Sequence, residues 1–338
     1  MSAELRPGIY SDYEVISADV SYTANRSVAL IAESIYSSNT AEITNSIMAA
    51  KLYGPHSGMA KLAATLFLNG AGKIICFPVQ SGRYAAAISA AVRNEDAYLI
   101  VCDSQAPELH DAIVAALKGA DEKNKFKLFV CEEDDACADT ADRGTELNYE
   151  RCVLVGNCEN GGVSGNVAAA LAGVIAGQAD PSLPFNGAVL KNISALKYDF
   201  EESEIETLLA AGVTCVEDIG GEKSIVRAVT SRSLTADEPD ATWRELSTLL
   251  IVDTVLPAVK SSLKKKFSRC KNTPQTRGAI RSQAVVVLED MLRRELIESY
   301  GDVRAEADEN DGSICRLSFE FAPAHGLNQI MLHVSVRV

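Results

Sequence analysis

Apolar and polar positions follow two successive rhythms along this chain, and the change comes near residue 220. In the first part, short continuous apolar runs at 27–32 (Ser27-Val28-Ala29-Leu30-Ile31-Ala32), 73–79, 97–102, 126–130 and 151–155 read as strands covered on both faces. Between them the apolar spacing is helical at 41–53, 57–68, 82–93, 107–118 and 164–177. Gly54-Pro55 and Asn69-Gly70-Ala71-Gly72 mark breaks, and an acidic loop precedes the strand at 151–155. Strands alternating with helices predict an α/β fold, a mostly parallel sheet flanked by helices.

Beyond residue 220 the grammar differs. Apolar runs at 213–219 and 224–230 flank Gly220-Gly221 and predict a hairpin. A strand and long helix follow at 247–267, a second helix at 276–299, and strands at 302–307, 313–321 and 329–338, giving an α+β C-terminal part. Both ends look extended. After the Pro7-Gly8 break, Ile9, Tyr10, Tyr13 and Val15 belong to a strand-like arm. The last residues alternate strictly, with Ile330, Leu332, Val334, Val336 and Val338 on one face and His333, Ser335 and Arg337 on the other. Such a strand needs a neighbour for its backbone groups, either within its own domain or at the sheet edge of another subunit. The expected division is an N-terminal extended linking arm at 1–22, an α/β domain at 23–220, a C-terminal α+β domain at 221–326 and a strand arm at 327–338. No internal repeat is visible.

Composition narrows the function. At 338 residues, 47% hydrophobic and 23% charged, the chain can bury a core, which excludes disorder as its main state. A net charge of -14 argues against a general nucleic-acid binder. No run approaches the roughly 18 uninterrupted apolar residues of a membrane span, and the first residues lack a signal-peptide apolar region, so no membrane insertion is expected and synthesis in the cytoplasm is. Nine cysteines, an odd number set mostly in apolar runs, read as buried reduced thiols.

Candidate chemistry is thin. The best lead is the glycine-rich turn Gly156-Asn157-Cys158-Glu159-Asn160-Gly161-Gly162-Val163-Ser164-Gly165, between a strand and a helix, where a phosphate meets a helix N-terminus. Its spacing fits neither a P-loop, a dinucleotide fingerprint nor a nucleophile elbow, which leaves a tight structural turn as the simpler reading. Cys131 with Cys137 and Cys152 with Cys158 are spaced too widely for usual zinc pairs, the four histidines form no i, i+4 pair, and Glu132-Glu133-Asp134-Asp135 lacks the pattern of a calcium loop. No catalytic, cofactor-binding or metal-binding residue is assigned, and no cofactor is expected. A cytosolic α/β enzyme holding a nucleotide phosphate between Gly156 and Gly165 is the rival reading.

Charge is unevenly distributed. Ten basic residues and only Glu289 and Asp290 fall between 258 and 294, about +8, while the rest of the chain carries 22 basic against 44 acidic residues. The helix at 276–299 turns Ile280, Ala284, Val287, Leu288, Met291, Leu292 and Leu296 inward, so its arginines lie outside or at the margins. The basic surface is either a solvated helix face or a match for an acidic partner.

Four stretches carry a family likeness. They are Leu52-Tyr53-Gly54-Pro55-His56-Ser57 leading to Phe67-Leu68-Asn69-Gly70-Ala71; the small-residue helix 168–177 with Pro181-Ser182-Leu183; Val226-Arg227-Ala228-Val229-Thr230-Ser231-Arg232; and Arg277-Gly278-Ala279-Ile280 through Gly301 to Leu327-Asn328-Gln329-Ile330. In this order they resemble the contractile tail sheath proteins of bacteriophages and of R-type phage-tail-like bacteriocins. Ala228 and Ser231 stand where Gly and Thr are common in that family, and the chain is short for it. The resemblance implies a non-enzymatic structural subunit that stacks in rings as a helical sheath around an inner tail tube protein. It further implies contact with baseplate and tail-end proteins, and contraction that drives the tube through a target cell envelope. The terminal arms would add strands to neighbouring subunits through Ile9, Tyr10, Tyr13 and Val15 and through Ile330, Leu332, Val334 and Val336. Lys264, Lys265, Lys266, Arg277 and Arg281 would face the tube. The expected location is a virion tail or bacteriocin particle assembled in the bacterial cytoplasm.

Overall fold

The computed structural model describes residues 26–121, 126–236, 238–328 and 334. The first strand, β1 (Ser27–Glu33), is buried at every position but Glu33. That lack of alternation follows from its place in the middle of a sheet with both faces covered. The chain continues through β2 (Ala41–Ile43), α1 (Ser46–Tyr53), α2 (Gly58–Leu68), β3 (Ile74–Val79), α3 (Tyr84–Arg93), β4 (Ala97–Cys102) and α4 (Pro107–Asp121). Next come β5 (Leu128–Glu132), α5 (Cys137–Leu147), β6 (Cys152–Val155), α6 (Asn166–Gly177), β7 (Val189–Leu190), α7 (Glu202–Ala210), β8 (Val213–Ile219) and β9 (Glu222–Arg227). These strands form one sheet in the order β2-β3-β1-β4-β5-β6-β8-β9-β7. The six from β3 to β8 run parallel, β2 and β9 run antiparallel beside them at the two edges, and β7 pairs antiparallel with β9. Gly220 and Gly221 both take positive φ in the turn joining β8 to β9, so the sheet runs on past residue 220 to Arg227.

Two cores sandwich the sheet. One lies under α1, α2 and α6, the other under α3, α4, α5 and α7. The small residues of α6 have a steric reason. A Cβ on Gly173 would sit 2.7 Å from the Leu66 carbonyl oxygen and from Asn69 Cβ, and one on Gly177 would sit 2.9 Å from the Gly70 oxygen. The Asn69-Gly70 turn therefore rests directly on α6, with Gly70 at φ +112. Asn69 Nδ2 donates to the Thr65 and Lys191 carbonyls, and its Oδ1 accepts from the Lys191 amide. Two of the resemblance motifs are thus the two sides of one close contact.

After the short pair β10 (Leu234–Thr235) and β11 (Glu238–Pro239), α8 (Leu246–Phe267) and α9 (Pro274–Arg293) pack together and are followed by the antiparallel pair β12 (Ile297–Ala307) and β13 (Cys315–Pro323). The first turn of α8 buries Leu246, Leu249 and Leu250 in the core beneath α6, whereas Ile251, Val255, Ala258 and Val259 join a third core with α9 and the β12–β13 pair. By length and hydropathy alone α8 meets the requirement for crossing a membrane, yet Leu246, Leu249, Leu250, Ile251, Val255, Ala258 and Val259 are buried in these two cores.

Several sequence expectations are corrected. Residues 41–45 are not helical: Ile43 pairs with Ile74 in the sheet, and α1 starts only after Asn45, whose side chain accepts from the Met48 amide. The acidic loop contains α5, whose buried face is Thr140, Ala141, Gly144 and Leu147. Helical spacing is present there, but small and polar residues carry it because Gly144 must lie against Ala211 and Val213. A single helix replaces the strand and helix expected at 247–267. The next helix ends at Arg293 rather than 299, because Glu295 takes a left-handed φ of 58 and turns the chain into β12. Among the described cysteines Cys76, Cys102, Cys131, Cys152, Cys158 and Cys215 are buried, and none is disulfide-bonded.

Candidate functional site

In a doubly wound sheet, ligands bind outside the carboxyl ends of the strands where the strand order reverses. Here the chain goes from β1 outward to β3 and then crosses back to β4 on the other side of β1, so that point lies between Glu33 and Asp103. Protein atoms fill it. Asp103 Oδ2 accepts from the Glu33 amide at 2.6 Å and its Oδ1 accepts from the Tyr84 hydroxyl at 2.9 Å. Burial raises the pKa of Asp103, partly offset by those two donors. A Cβ on Gly165, whose φ is +83, would lie 2.5 Å from the Cys102 carbonyl oxygen, so the start of α6 closes directly over β4.

The glycine-rich turn is closed in the same way. Glu132, at the end of β5, lies beneath the N-terminus of α6 with 1% of its surface exposed. Its Oε1 accepts from the Gly165 amide at 2.7 Å and from Gln105 Nε2 at 2.9 Å, and its Oε2 accepts from the Val167 and Ala168 amides at 2.8 and 3.0 Å. This is the arrangement in which a helix N-terminus holds an anion, with the protein's own carboxyl group in the anion's place. Burial pushes the Glu132 pKa up to about 7, against the opposing pull of the backbone N–H donors. The remaining glycines serve packing and turning: Gly161 has φ +69, and a Cβ on Gly156 would meet Val213 at 2.7 Å. Between Gly156 and Gly165 the chain therefore forms a self-capped structural turn, the simpler of the two sequence readings, and the rival phosphate site has its anion position taken by Glu132.

Nearby, buried His110 contacts the Ser104 carbonyl through Nε2 at 2.8 Å, and its Nδ1 lies 3.4 Å from Glu133, which is 3.7 Å from Arg143. Arg143 also bonds Asp111 at 2.7 Å and the Pro107 carbonyl, tying α4 to α5. The group is enclosed and reads as a structural brace. Among the described residues no cluster of three or more His, Cys, Asp or Glu side chains is placed to hold a metal ion.

The surfaces left open are in the C-terminal part. Among the described residues β12 and β13 form a two-stranded sheet; Ile297, Tyr300, Val303, Leu317, Phe319 and Phe321 pack one face on α8 and α9. Among the described residues neither outer edge of this pair is hydrogen-bonded to another strand. Such edges are templates for an added strand. Sequence periodicity located these two strands but could not show which described edges stay unpaired.

The proposed arm residues Ile9, Tyr10, Tyr13, Val15, Ile330, Leu332 and Val336 lie outside the described residues; Val334 is described and exposed. The chain leading to the C-terminal arm is held by Asn328, whose Oδ1 accepts from Asn186 at 2.9 Å. Of the basic residues, Lys264, Lys265 and Lys266 share the exposed last turn of α8, and Lys266 bonds Gln283 of α9. Arg277 and Arg281 have internal tasks. Arg277 donates to Asn272, which bonds the Gly312 and Ile314 carbonyls, and Arg281 Nε donates to the Val303 carbonyl at 2.8 Å. Both arginines pin α9 and its entry loop to the β12–β13 pair, so the five cations are not one equivalent patch.

Residues 238–337 match the family model of the phage tail sheath C-terminal domain. This likeness to a tail sheath domain spans 100 of the 338 residues. No curated protein matches the chain in sequence. Among solved structures it is similar to the helical sheath of the anti-feeding prophage in its contracted state, at 14% identity over 99% of both chains with a TM-score of 0.74. A chain in the baseplate of the same particle gives 0.75 at 14% identity, covering 99% of this chain and 100% of that one. The sheath tail protein of Desulfitobacterium hafniense gives 0.71 at 11% identity over 94% of this chain and 100% of that one. At such identities these likenesses show the fold, which extends beyond the sheath domain through the nine-stranded sheet.

Proposed function

We propose that the chain is a structural subunit of a contractile tail sheath. Copies polymerise in stacked rings around an inner tube, engage a baseplate and tail-end proteins, and contract to drive the tube through a cell envelope in a virion tail or bacteriocin particle assembled in the bacterial cytoplasm. The observation that carries this reading is the two-stranded β12–β13 sheet, inside the matched sheath domain, with both edges open among the described residues. Arms 1–22 and 327–338 of neighbouring subunits supply the missing strands, using Ile9, Tyr10, Tyr13 and Val15 and Ile330, Leu332, Val334 and Val336. Backbone ladders made by arms keep subunits joined while their bodies rotate, and contraction releases strain stored in assembly without a catalytic step. A non-enzymatic role accords with the filling of the ligand crevice by Asp103, Glu132 and Gly165.

The basic end of α8, Lys264, Lys265 and Lys266, faces an acidic tube in this reading, with Arg277 and Arg281 behind it. Deletion of residues 327–338 tests the arms. The truncated protein should remain a folded monomer by circular dichroism and sedimentation and form no tubes in negative stain. Full-length sheaths from truncated protein would rule out the C-terminal arm as a linker.

A further inference from the structure

Beneath the amino ends of β4 and β5, α8 and β13 enclose a cavity of about 670 Å³. Its walls include Tyr98, Phe126, Leu256, Leu263, Leu317 and Phe319. Leu256 keeps 39% of its surface exposed although it belongs to a helix that otherwise turns its leucines inward. Lys260 is exposed, and the buried polar groups of the wall are already engaged. Tyr98 donates to Asp253 Oδ2 at 2.6 Å, Arg151 bonds both Asp253 oxygens at 2.7 and 2.8 Å, and Lys127 Nζ donates to the Asn94 and Ala97 carbonyls. A small-molecule site presents a few free, convergent polar groups in such a space. This cavity presents apolar surface, which suits an apolar stretch of polypeptide.

One end of the chain is delivered to it. The described residues start at Arg26, and the next residue, Ser27, pairs with Ala97 of the cavity wall. Arg26 is fixed there, donating to the Ile175 and Gln178 carbonyls at 3.2 and 3.1 Å and lying within the field of Tyr98 and Asp253. Ile16, Val20 and Tyr22 are the bulky apolar residues just before it. At about 3.5 Å per extended residue, Tyr22 reaches no more than about 14 Å and Ile16 about 35 Å from Arg26. The C-terminal segment departs elsewhere, from Asn328, which is bonded to Asn186 and Glu245 rather than to the cavity wall.

We propose that residues 16–22 of the same chain seat in the cavity between β4, β5, α8 and β13, with Val20 and Tyr22 against Leu256, Leu263 and Phe319. The seat fixes the root of the 1–22 arm at the junction of the nine-stranded sheet and the C-terminal part, and so narrows the stretch that reaches a neighbour to residues 1–15, which hold Ile9, Tyr10, Tyr13 and Val15. It concerns one chain by itself, so its failure would leave the sheath reading untouched, and failure to form tubes would leave the seat untouched.

The test places the photocrosslinking residue p-benzoylphenylalanine at position 256 of the full chain. An equal mixture of isotopically light and heavy chains is irradiated, and crosslinked tryptic peptides are read by mass spectrometry. The expected product joins the peptide bearing position 256 to the N-terminal tryptic peptide that ends at Arg26, within 16–22, with both halves light or both heavy. Mixed-isotope products at that site would assign the seat to a neighbouring copy and overturn the proposal, as would crosslinks that omit residues 16–22. A Tyr22→Asp variant gives a second reading. Amide exchange at 253–263 and 315–319 should rise at least tenfold with the rest of the sheet unchanged, and unchanged exchange there would contradict the seat.

Discussion

The contact between α2 and α6 makes a sharp prediction for Gly173→Ala. The new Cβ would lie 2.7 Å from the Leu66 carbonyl oxygen and 2.7 Å from Asn69 Cβ, whereas ordinary contact begins at 3.4 Å. The helices must therefore part by about 0.7 Å, and Leu66 cannot yield by rotating a side chain because its backbone is the obstacle. Overpacking of this kind costs about 1–3 kcal/mol. Alanine recovers about 1 kcal/mol of helix propensity, so the net change runs from none to a loss of about 2 kcal/mol. Gly119→Ala in α4 is the control, since nothing lies within 4 Å of its Cβ position. That change should stabilise by about 0.5–1 kcal/mol, because glycine is simply a poor helix residue there. Urea titrations with equal m values read both changes. If Gly173→Ala were as stabilising as Gly119→Ala, close approach would not be the reason for the small residues of α6.

Other predictions concern buried charge and the basic surface. Glu132 keeps its proton to about pH 7 in the folded chain but ionises near 4.5 when unfolded. The folded state therefore binds more protons across that window, and stability falls as pH rises through it. Glu132→Gln removes the effect, so its stability relative to the parent should climb by up to about 3 kcal/mol between pH 4.5 and 7, and parallel pH curves would contradict this. Asp253→Ala removes the bidentate acceptor of Arg151 and the acceptor of Tyr98 in a buried setting and should cost about 3–5 kcal/mol in chemical denaturation, with Asp253→Leu plus Arg151→Met regaining most of it. Changing Lys264, Lys265 and Lys266 together to Glu should leave the monomer folded, with a melting temperature lowered by the loss of favourable charge at the end of α8, and abolish sheath on tube by electron microscopy; changing all three to Gln, which spares the helix end, should weaken assembly likewise, and normal assembly of both variants would exclude a tube-facing role.

Apolar runs made the parallel strands legible, because a strand such as β1 buried on both faces can only be apolar throughout. Helices with an apolar stripe were equally visible. What escaped was structure whose inner face carries little hydrophobicity, as in α5, where Thr140 and Gly144 lie inward. Helix limits failed where tertiary packing mimics helical spacing: Leu296 is buried with α9 although the chain has already left it. The likeness motifs were readable as residues but not as a contact, since Asn69-Gly70 and Gly173 are a hundred residues apart and meet only in the fold. The site shows the same limit. The glycine-rich turn was identified and its poor spacing noted, but its filling depends on Glu132, which in sequence is one acid in a run of four. Among the basic residues, charge was visible in sequence, but not the difference between the exposed lysines and Arg281, bonded to the Val303 carbonyl, or Arg277, bonded to the Asn272 side chain.

The central claim is that this chain builds a sheath able to adopt two lattices. Electron microscopy of the purified full chain, assembled with its tube protein and then triggered by mild denaturant, tests it most directly. The account predicts helical tubes in a long narrow form that convert to a shorter and wider form with the subunits still joined. Monomers that never polymerise, or tubes of a single invariant diameter, would contradict it.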